Sequence, residues 1–555
     1  MSFRKKEIVT LIITMISDEW DDEEDQQLIR FKPLDVRTKA SQVPGPEILT
    51  GIEESIYTEI AKNKAIILML VCLAIVVAVL LKRIKFLDRF VQYVPESGII
   101  MFLGVFVTWT VDAAGFDQQL TIYGWVIEHL MIAPIILHAS YCLFHPHFFG
   151  QLGTILLLAI VATVLNCLII AGIVYASLML TSDDFLSMMT VHQVLMYSAL
   201  ISAVDPVAVL AVFDTVGANR ALYYLVFGES LLNDGVTFVM YKGFKVFTIL
   251  TKEAAAEVEM KYYLFLLASF ITKPVFGILV GLFNGLLSSY CTKFSTKKSE
   301  FLHVLLNLLF AAQAYIMAIM FGFSGILSLI AFGLTQQRYT FRNIDNTSVV
   351  KTRTVVREFA MVAELFLFFI LGSEFSVIHF GNIVTFATIV WVVMTIARAI
   401  VTSFLSFVMN KFTRHEINWK WQILLIVGGM RGAIAYAMVI QYQGRPYYDV
   451  FYETTVFLIF VTTVLNGMLA KPLVGLLQLK EEVGDEDYDH EYGWDDLEKL
   501  SPVVRAFKSF EDRIILPLFT KDHKTMKLAD NEVMESEEEG IFDRLEEKHN
   551  KKIKK

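Results

Sequence analysis

Residues 202–206 read SAVDP and residues 428–433 read GGMRGA. Each stretch lies inside an apolar run long enough to cross a bilayer, and each should interrupt its helix. Pro206 removes a backbone donor and disfavours helix at Asp205 before it. The glycines at 428, 429 and 432 favour unwinding. The breaks fall in the fifth and twelfth apolar segments of the chain. The twelfth lies seven segments after the fifth, an odd step, so the two interrupted helices run in opposite directions. That is the pattern of inverted repeats with a binding site at the membrane midplane. Broken helices leave half-helix dipoles facing one another. Asp205 suits the N-terminal partial positives, and Arg431 the C-terminal partial negatives.

The rest of the chain supports a bilayer as its solvent. Of 555 residues, 55% are hydrophobic and only 19% charged, with Phe 44 and Met 21. A soluble core could not hide so much apolar surface. From residue 61 to 479 the sequence is almost continuously apolar. Breaks at Pro, Gly, Asn and charge clusters, with about 20 residues allowed per span, divide it into about 13 helical segments. Helices are required, because in lipid each backbone N–H and C=O must be paired within its own segment. The spans centre on 64–82, 98–112, 123–144, 151–178, 191–214, 220–247, 262–288, 300–320, 323–337, 356–378, 381–409, 419–441 and 452–477. The expected fold is therefore an all-α membrane protein with inverted repeats and two crossed, unwound helices.

Basic loops fall mostly on one side of this arrangement. They carry Lys82, Arg83, Lys85 and Arg89, then Lys293, Lys297 and Lys298, then Arg338, Arg342, Lys351, Arg353 and Arg357, then Lys411, Arg414 and Lys420. The opposite loops carry Asp112, Asp117, Asp183 and Asp184 and few basic residues, with Lys252, Lys261 and Arg445 as the exceptions. The positive-inside rule puts the basic loops and the carboxyl tail in the cytosol. Residues 1–60 form a separate N-terminal segment, with a weak signal-like run after Arg4, Lys5 and Lys6 and an acidic stretch from Asp18 to Asp25 on the outer side. Residues 480–555 form a short cytosolic regulatory tail, in which Val503 to Phe519 has apolar residues at roughly helical spacing. The net charge of −9 comes largely from the ends. Cys72, Cys142, Cys167 and Cys291 form no CxxC pair, so neither a disulfide scaffold nor a zinc site is indicated. No cofactor and no nucleic-acid partner is expected.

A charge at the bilayer centre costs about 3 kcal/mol or more. Asp205, Glu229, Asp234, Glu364, Arg398 and Arg431 nevertheless lie well inside spans. Ion pairing that only fixes helix packing accounts for Glu229, Glu364 and the arginines about as well as a transport role does. Asp234 fits that bland account least. It is a hard anionic oxygen ligand beside the amide of Asn233, suited to Na⁺ or Li⁺. One carboxylate that holds either the cation or a proton is a minimal exchange device. The neutral Asn233, where a second acid would add a charge, points to one charge per cycle and so to electroneutral exchange.

At these residues the sequence closely resembles the eukaryotic sodium/proton exchanger family of the cation/proton antiporter superfamily, and within it the plasma-membrane-type branch. SAVDPVAVLAVF at 202–213 and FGESLLNDGVTFVMY at 227–241 look like its two signature helices. LGTIL at 152–156, ELFLFFILG at 364–372 and GGMRGAIA at 428–435 follow in the family's order. The resemblance covers roughly residues 64–480. It implies Na⁺ (or Li⁺) exchanged for H⁺, with control of intracellular pH and sodium. It implies that Asp234 and Asn233 bind the transported ion, Asp234 being the Na⁺ ligand, and that Asp205, Pro206 and Arg431 belong to the crossover. It implies a structural ion pair between Glu229 and Arg398, and a homodimer in the lipid bilayer that moves in an elevator-like way. Two positions depart from the family. His138 stands where Asp is common, and Ile319 where animal plasma-membrane members often carry Glu. His138 and Glu364 are candidate modulators. The tail is shorter than the family's regulatory tail, and the helix that would bind an EF-hand regulatory protein is not evident in it.

Other readings are weaker. An endomembrane K⁺/H⁺ exchanger would use the same oxygens. An intramembrane protease has GFSG at 322–325 in its favour, but four residues are a weak signal and no companion histidine is placed convincingly in a later helix. No selectivity-filter repeat suggests a channel, and the intact Asn233–Asp234 pair argues against a transport-dead regulator. The chain is not expected to be an enzyme.

Overall fold

The computed structural model describes residues 95–113, 124, 126–180, 189–205, 219–253, 260–295, 300–378, 382–411, 417–477 and 511–520. The expected first span at 64–82, the N-terminal segment, Pro206 and most of the tail lie outside these. Every regular element among the described residues is helical. In chain order they are α1 (Glu96–Ala113), α2 (Val126–Cys142), the short α3 (Pro146–Gly150), α4 (Leu152–Met179), α5 (Val191–Leu200) and α6 (Arg220–Glu253). Then come α7 (Met260–Lys293), α8 (Glu300–Met320), α9 (Gly325–Arg338), α10 (Asn346–Val377), α11 (Asn382–Met409), α12 (Trp419–Val427), α13 (Ala433–Ile440) and α14 (Tyr448–Leu476). Six helices among the described residues, α1, α4, α7, α8, α11 and α14, are long and apolar enough to cross a membrane.

The helices pack in two sets. One contains α1, α2, α7, α8, α9 and α10, with its tightest contacts between α7 and α9 and between α1 and α10. The other contains α4, α5, α6, α11, α12, α13 and α14. The sets meet where α6 lies on α7 and where α10 lies on α14. Lipid offers helices no hydrophobic reward for associating, so small residues that allow close approach matter. Gly277, Gly281 and Gly285, spaced by one turn on α7, face Ser324, Ser328 and Thr335 of α9. The opposite face of α7 is covered in exposed apolar side chains, among them Val275, Leu279 and Phe283. That face is built for acyl chains rather than water.

The α1–α10 contact is equally close. A Cβ on Gly372 would collide with the Met101 carbonyl oxygen, and one on Gly104 with that of Phe369. These are backbone atoms and cannot rotate aside. Gly372→Val should therefore cost about 1–3 kcal/mol or more. The expected result is a lower melting midpoint in detergent, and an unchanged midpoint would contradict the contact.

GFSG forms the turn between α8 and α9. Gly322 takes a left-handed φ of 72°, a conformation that glycine adopts freely. Ser324 caps α9 by accepting from the Leu327 N–H, and its own N–H donates to the Lys273 carbonyl at 3.3 Å. The serine thus has a helix-capping role. In the tail, Glu511–Ile515 and Leu516–Phe519 form two short turns set against α7 and α9. Polar bonds hold them. The Glu511 carboxylate accepts from Arg338 Nε at 2.8 Å and from the Tyr339 hydroxyl at 2.9 Å. Lys293 Nζ donates to the Pro517 carbonyl at 2.7 Å, and Asn343 Nδ2 to that of Phe519 at 2.8 Å.

Candidate functional site

Helix α5 begins at a capping box, in which Thr190 accepts from the Gln193 N–H and Gln193 accepts from the Thr190 N–H. It ends at Leu200, and Ile201 to Asp205 are non-helical. Helix α12 ends at Val427, and the chain resumes helix only at Ala433. These two irregular stretches touch. The Asp205 N–H donates to the Met430 carbonyl at 2.9 Å, and Arg431 Nη1 donates to the Ala203 carbonyl. Gly432 packs directly on the Asp205 carboxylate, where a Cβ would overlap its Oδ2 and Cγ. Each break thereby supplies partners for backbone groups that the other has freed, as buried polar groups require. Helix α14 completes the join. Thr462 Oγ1 accepts from the Arg431 N–H at 3.1 Å, and Thr463 Oγ1 donates to the Arg431 carbonyl at 3.2 Å.

Gly432→Ala should accordingly push the two breaks apart at Asp205. The expected outcome is a folded protein with a lower melting midpoint and impaired transport. Wild-type values for both would show that the junction absorbs the added methyl group without separating.

Beside the breaks runs α6, which carries Glu229, Asn233 and Asp234, all buried. Asn233 Nδ2 donates to the Ser202 carbonyl at 3.4 Å, linking α6 to the first break. Asn233 Oδ1 is buried and accepts no hydrogen bond from any described residue. Thr237 donates back to the carbonyls of Asn233 and Asp234 at 3.1 and 3.0 Å, which loosens the helix there. Asp234 lies within the field of Asp205, Glu229 and Arg431. Two anions and one cation thus act on one buried carboxylate. A carboxylate so placed has oxygens for a proton or for a small cation, one at a time.

Arg398 of α11 makes a two-pronged pair with Glu229. Its Nη1 and Nη2 reach the two carboxylate oxygens at 3.2 and 3.1 Å. Its Nε donates to the Leu425 carbonyl at 2.8 Å, in the last turn of α12. One guanidinium therefore joins the site helix to the edge of the second break. The remaining predicted residues stand on α10 and α2. Glu364 is half-buried on α10. His138 is half-buried on α2, with its Nε2 3.9 Å from Cys142 Sγ one turn on.

The structure also shows charged and polar groups that the sequence pattern did not single out. Glu128 is buried in the first turn of α2, facing Lys242 and Gln441. Glu374, near the end of α10, is hydrogen-bonded to Tyr452, which in turn bonds Tyr436. Both acids fall within apolar spans, which is the signal that could have found them.

Residues 66–475 match the family model for the transmembrane region of sodium/hydrogen exchangers. The chain is 31% identical over 433 residues to the Na⁺/H⁺ exchanger beta of Oncorhynchus mykiss, covering 76% of this chain and 56% of that protein. It is 32% identical over 423 residues to sodium/hydrogen exchanger 3 of Rattus norvegicus, covering 74% and 49%. Homo sapiens sodium/hydrogen exchanger 5 is 32% identical over 446 residues, covering 76% and 48%. The chain thus spans about half the length of these curated relatives. In fold it is similar to the sodium proton antiporter MjNhaP1 of Methanocaldococcus jannaschii, with a TM-score of 0.53 at 15% identity, covering 75% of this chain and 99% of that one. By the extent of the family match, this chain is a member of the sodium/hydrogen exchanger family.

Proposed function

We propose that the chain exchanges Na⁺ or Li⁺ for H⁺, electroneutrally, across a membrane, and so regulates intracellular pH and sodium. The observation that carries this is Asp234. It is a buried carboxylate beside a buried amide oxygen with no described donor, at the place where two helix interruptions meet. In one state the acid holds a proton. In the other, Asp234 and Asn233 offer oxygens to a dehydrated cation. Arg431, fixed by Ala203, Thr462 and Thr463, balances the second anion, Asp205, so that one net charge remains to be neutralised in each state. Glu229 and Arg398 form a structural pair that neutralise each other and hold α6 against α12. The named relatives are sodium/hydrogen exchangers, which supports this reading.

The finer architecture follows the same logic. About 13 helices related as inverted repeats, with α5 and α12–α13 as the crossed, unwound pair, would let the site face each side in turn. Residues 61–479 form the exchanger domain in this proposal, preceded by residues 1–60 and followed by the tail at 480–555. The exchanger works as a homodimer in the lipid bilayer, at the plasma membrane, with its carboxyl end cytosolic and within reach of an EF-hand or other regulatory protein. No cofactor takes part.

The test is purified protein in liposomes carrying a pH-sensitive dye, with Na⁺, Li⁺ and K⁺ gradients compared at clamped voltage. Na⁺ and Li⁺ gradients should drive proton movement that clamping does not alter. Proton movement driven as strongly by K⁺ would favour the K⁺/H⁺ reading. Alkali-ion flux with no opposing proton flux would end the exchange reading.

A further inference from the structure

The two sets of helices are bridged by polar side chains at one end. Glu128, in the first turn of α2, belongs to the first set. Its main-chain carbonyl accepts from the Tyr315 hydroxyl of α8 at 3.3 Å, and Tyr315 also bonds His129 at 2.9 Å. The first turn of α2 is thereby fastened to its own set. The Glu128 carboxylate points the other way. One oxygen accepts from Gln441 Nε2, immediately after α13, and the other lies 3.8 Å from Lys242 Nζ on α6. Lys245 Nζ, one turn further along α6, donates to the Gln441 carbonyl at 2.7 Å. A carboxylate of the first set thus joins both the site helix and the half-helix beyond the second break. Lys242 Nζ also stands 4.5 Å from the centroid of the Phe238 ring, one turn back on α6.

The second bridge, Glu374 of α10 to Tyr452 of α14, lies at the same end, because Tyr452 stands near the start of α14, just beyond the finish of α13. Asp234 is two turns back along α6 from Lys242, about 12 Å by helical rise. At this end α2 meets α13, and the Glu128 carboxylate spans the seam from α2 to both α6 and α13. The loop charges make this the outer end.

We propose that Glu128, Lys242 and Gln441 form a bolt across the outer mouth of the ion path, and that each exchange cycle requires it to part. They act as positioning residues, since none ligates the ion at Asp234. The inference rests on the exchange reading given above. Its energetic logic is population shift. Weakening a contact made only in the outward-closed state enlarges the outward-open fraction, and apparent affinity on a face scales with the fraction open to it.

Glu128→Gln and Lys242→Gln should each lower the half-saturating outer Na⁺ concentration about threefold or more while raising the inner one. The first is read on whole cells, the second on inside-out vesicles. A residue that served only packing would change yield or maximal rate, and would move both faces together. Unchanged half-saturation on both faces, or shifts in the same direction, would overturn the bolt. A second measurement uses the pair Glu128→Cys and Gln441→Cys, bridged by a short bifunctional thiol reagent that reductant cleaves. Bridging should cut exchange below a tenth, and cleavage should restore it. Bridged protein, verified by mass, that exchanges at its cleaved rate would also overturn the proposal. Failure of the underlying reading looks different, because the unsubstituted protein would then show no exchange at all.

Discussion

Asp234→Asn is expected to reduce Na⁺-driven proton movement to the level of protein-free liposomes while leaving a folded protein. The substitution keeps size and shape, and the amide still offers one oxygen. It removes the negative charge and the exchangeable proton together. Without that charge, a dehydrated Na⁺ entering this pocket would meet neutral oxygens at 233 and 234, while Arg431 offsets Asp205 and Arg398 offsets Glu229, leaving no net anion to hold it. Without the proton, the return half of the cycle has nothing to carry. Stability should move the other way or not at all. Asp234 sits in the field of Asp205 and Glu229, and removing one of several buried anions relieves repulsion. The check pairs a liposome flux assay with a melting curve. Near-normal exchange would remove Asp234 from the ion site. Lost exchange with a collapsed melting midpoint would make it a folding residue instead.

What could be read from the chain alone followed from cost. A charge or a helix break inside lipid is expensive, so SAVDP, the 428–432 glycines and the acids of α6 stood out without any structure. Their mutual contact was implied only by the inverted-repeat pattern. The fold makes it a direct bond, from the Asp205 N–H to the Met430 carbonyl. The Glu128 cluster was harder to see. Its members lie toward the ends of their spans, where long charged side chains usually reach water and cost little. They also come from three separate segments, so no local spacing links them. The tail shows a similar limit. Its apolar spacing from Val503 suggested an amphipathic helix, but Glu511 to Thr520 is held by Arg338, Tyr339, Lys293 and Asn343, partners that no periodicity within the tail could name. In GFSG, the turn geometry explains the motif more simply than protease chemistry does.

Arg398→Ala should be the most damaging change to stability among the residues around the site. It strands Glu229 at 3% exposure, far from water. Breaking such a pair from one side typically costs about 3–5 kcal/mol, because the remaining charge keeps its desolvation penalty and loses its compensation. The alanine also frees the Leu425 carbonyl at the end of α12, beside the second break. Low yield and a much reduced melting midpoint are expected. The companion variant separates these causes. Glu229→Gln combined with Arg398→Met removes both charges while filling most of the volume, and buried pairs replaced in this way are often close to neutral. The double variant should therefore regain more than half of the lost midpoint. The remainder reports the unpaired Leu425 carbonyl, which methionine cannot satisfy. Equal midpoints for Arg398→Ala and the unsubstituted protein would show that Glu229 finds other partners. A double variant no better than the single would place the cost in the Leu425 contact rather than in the ion pair.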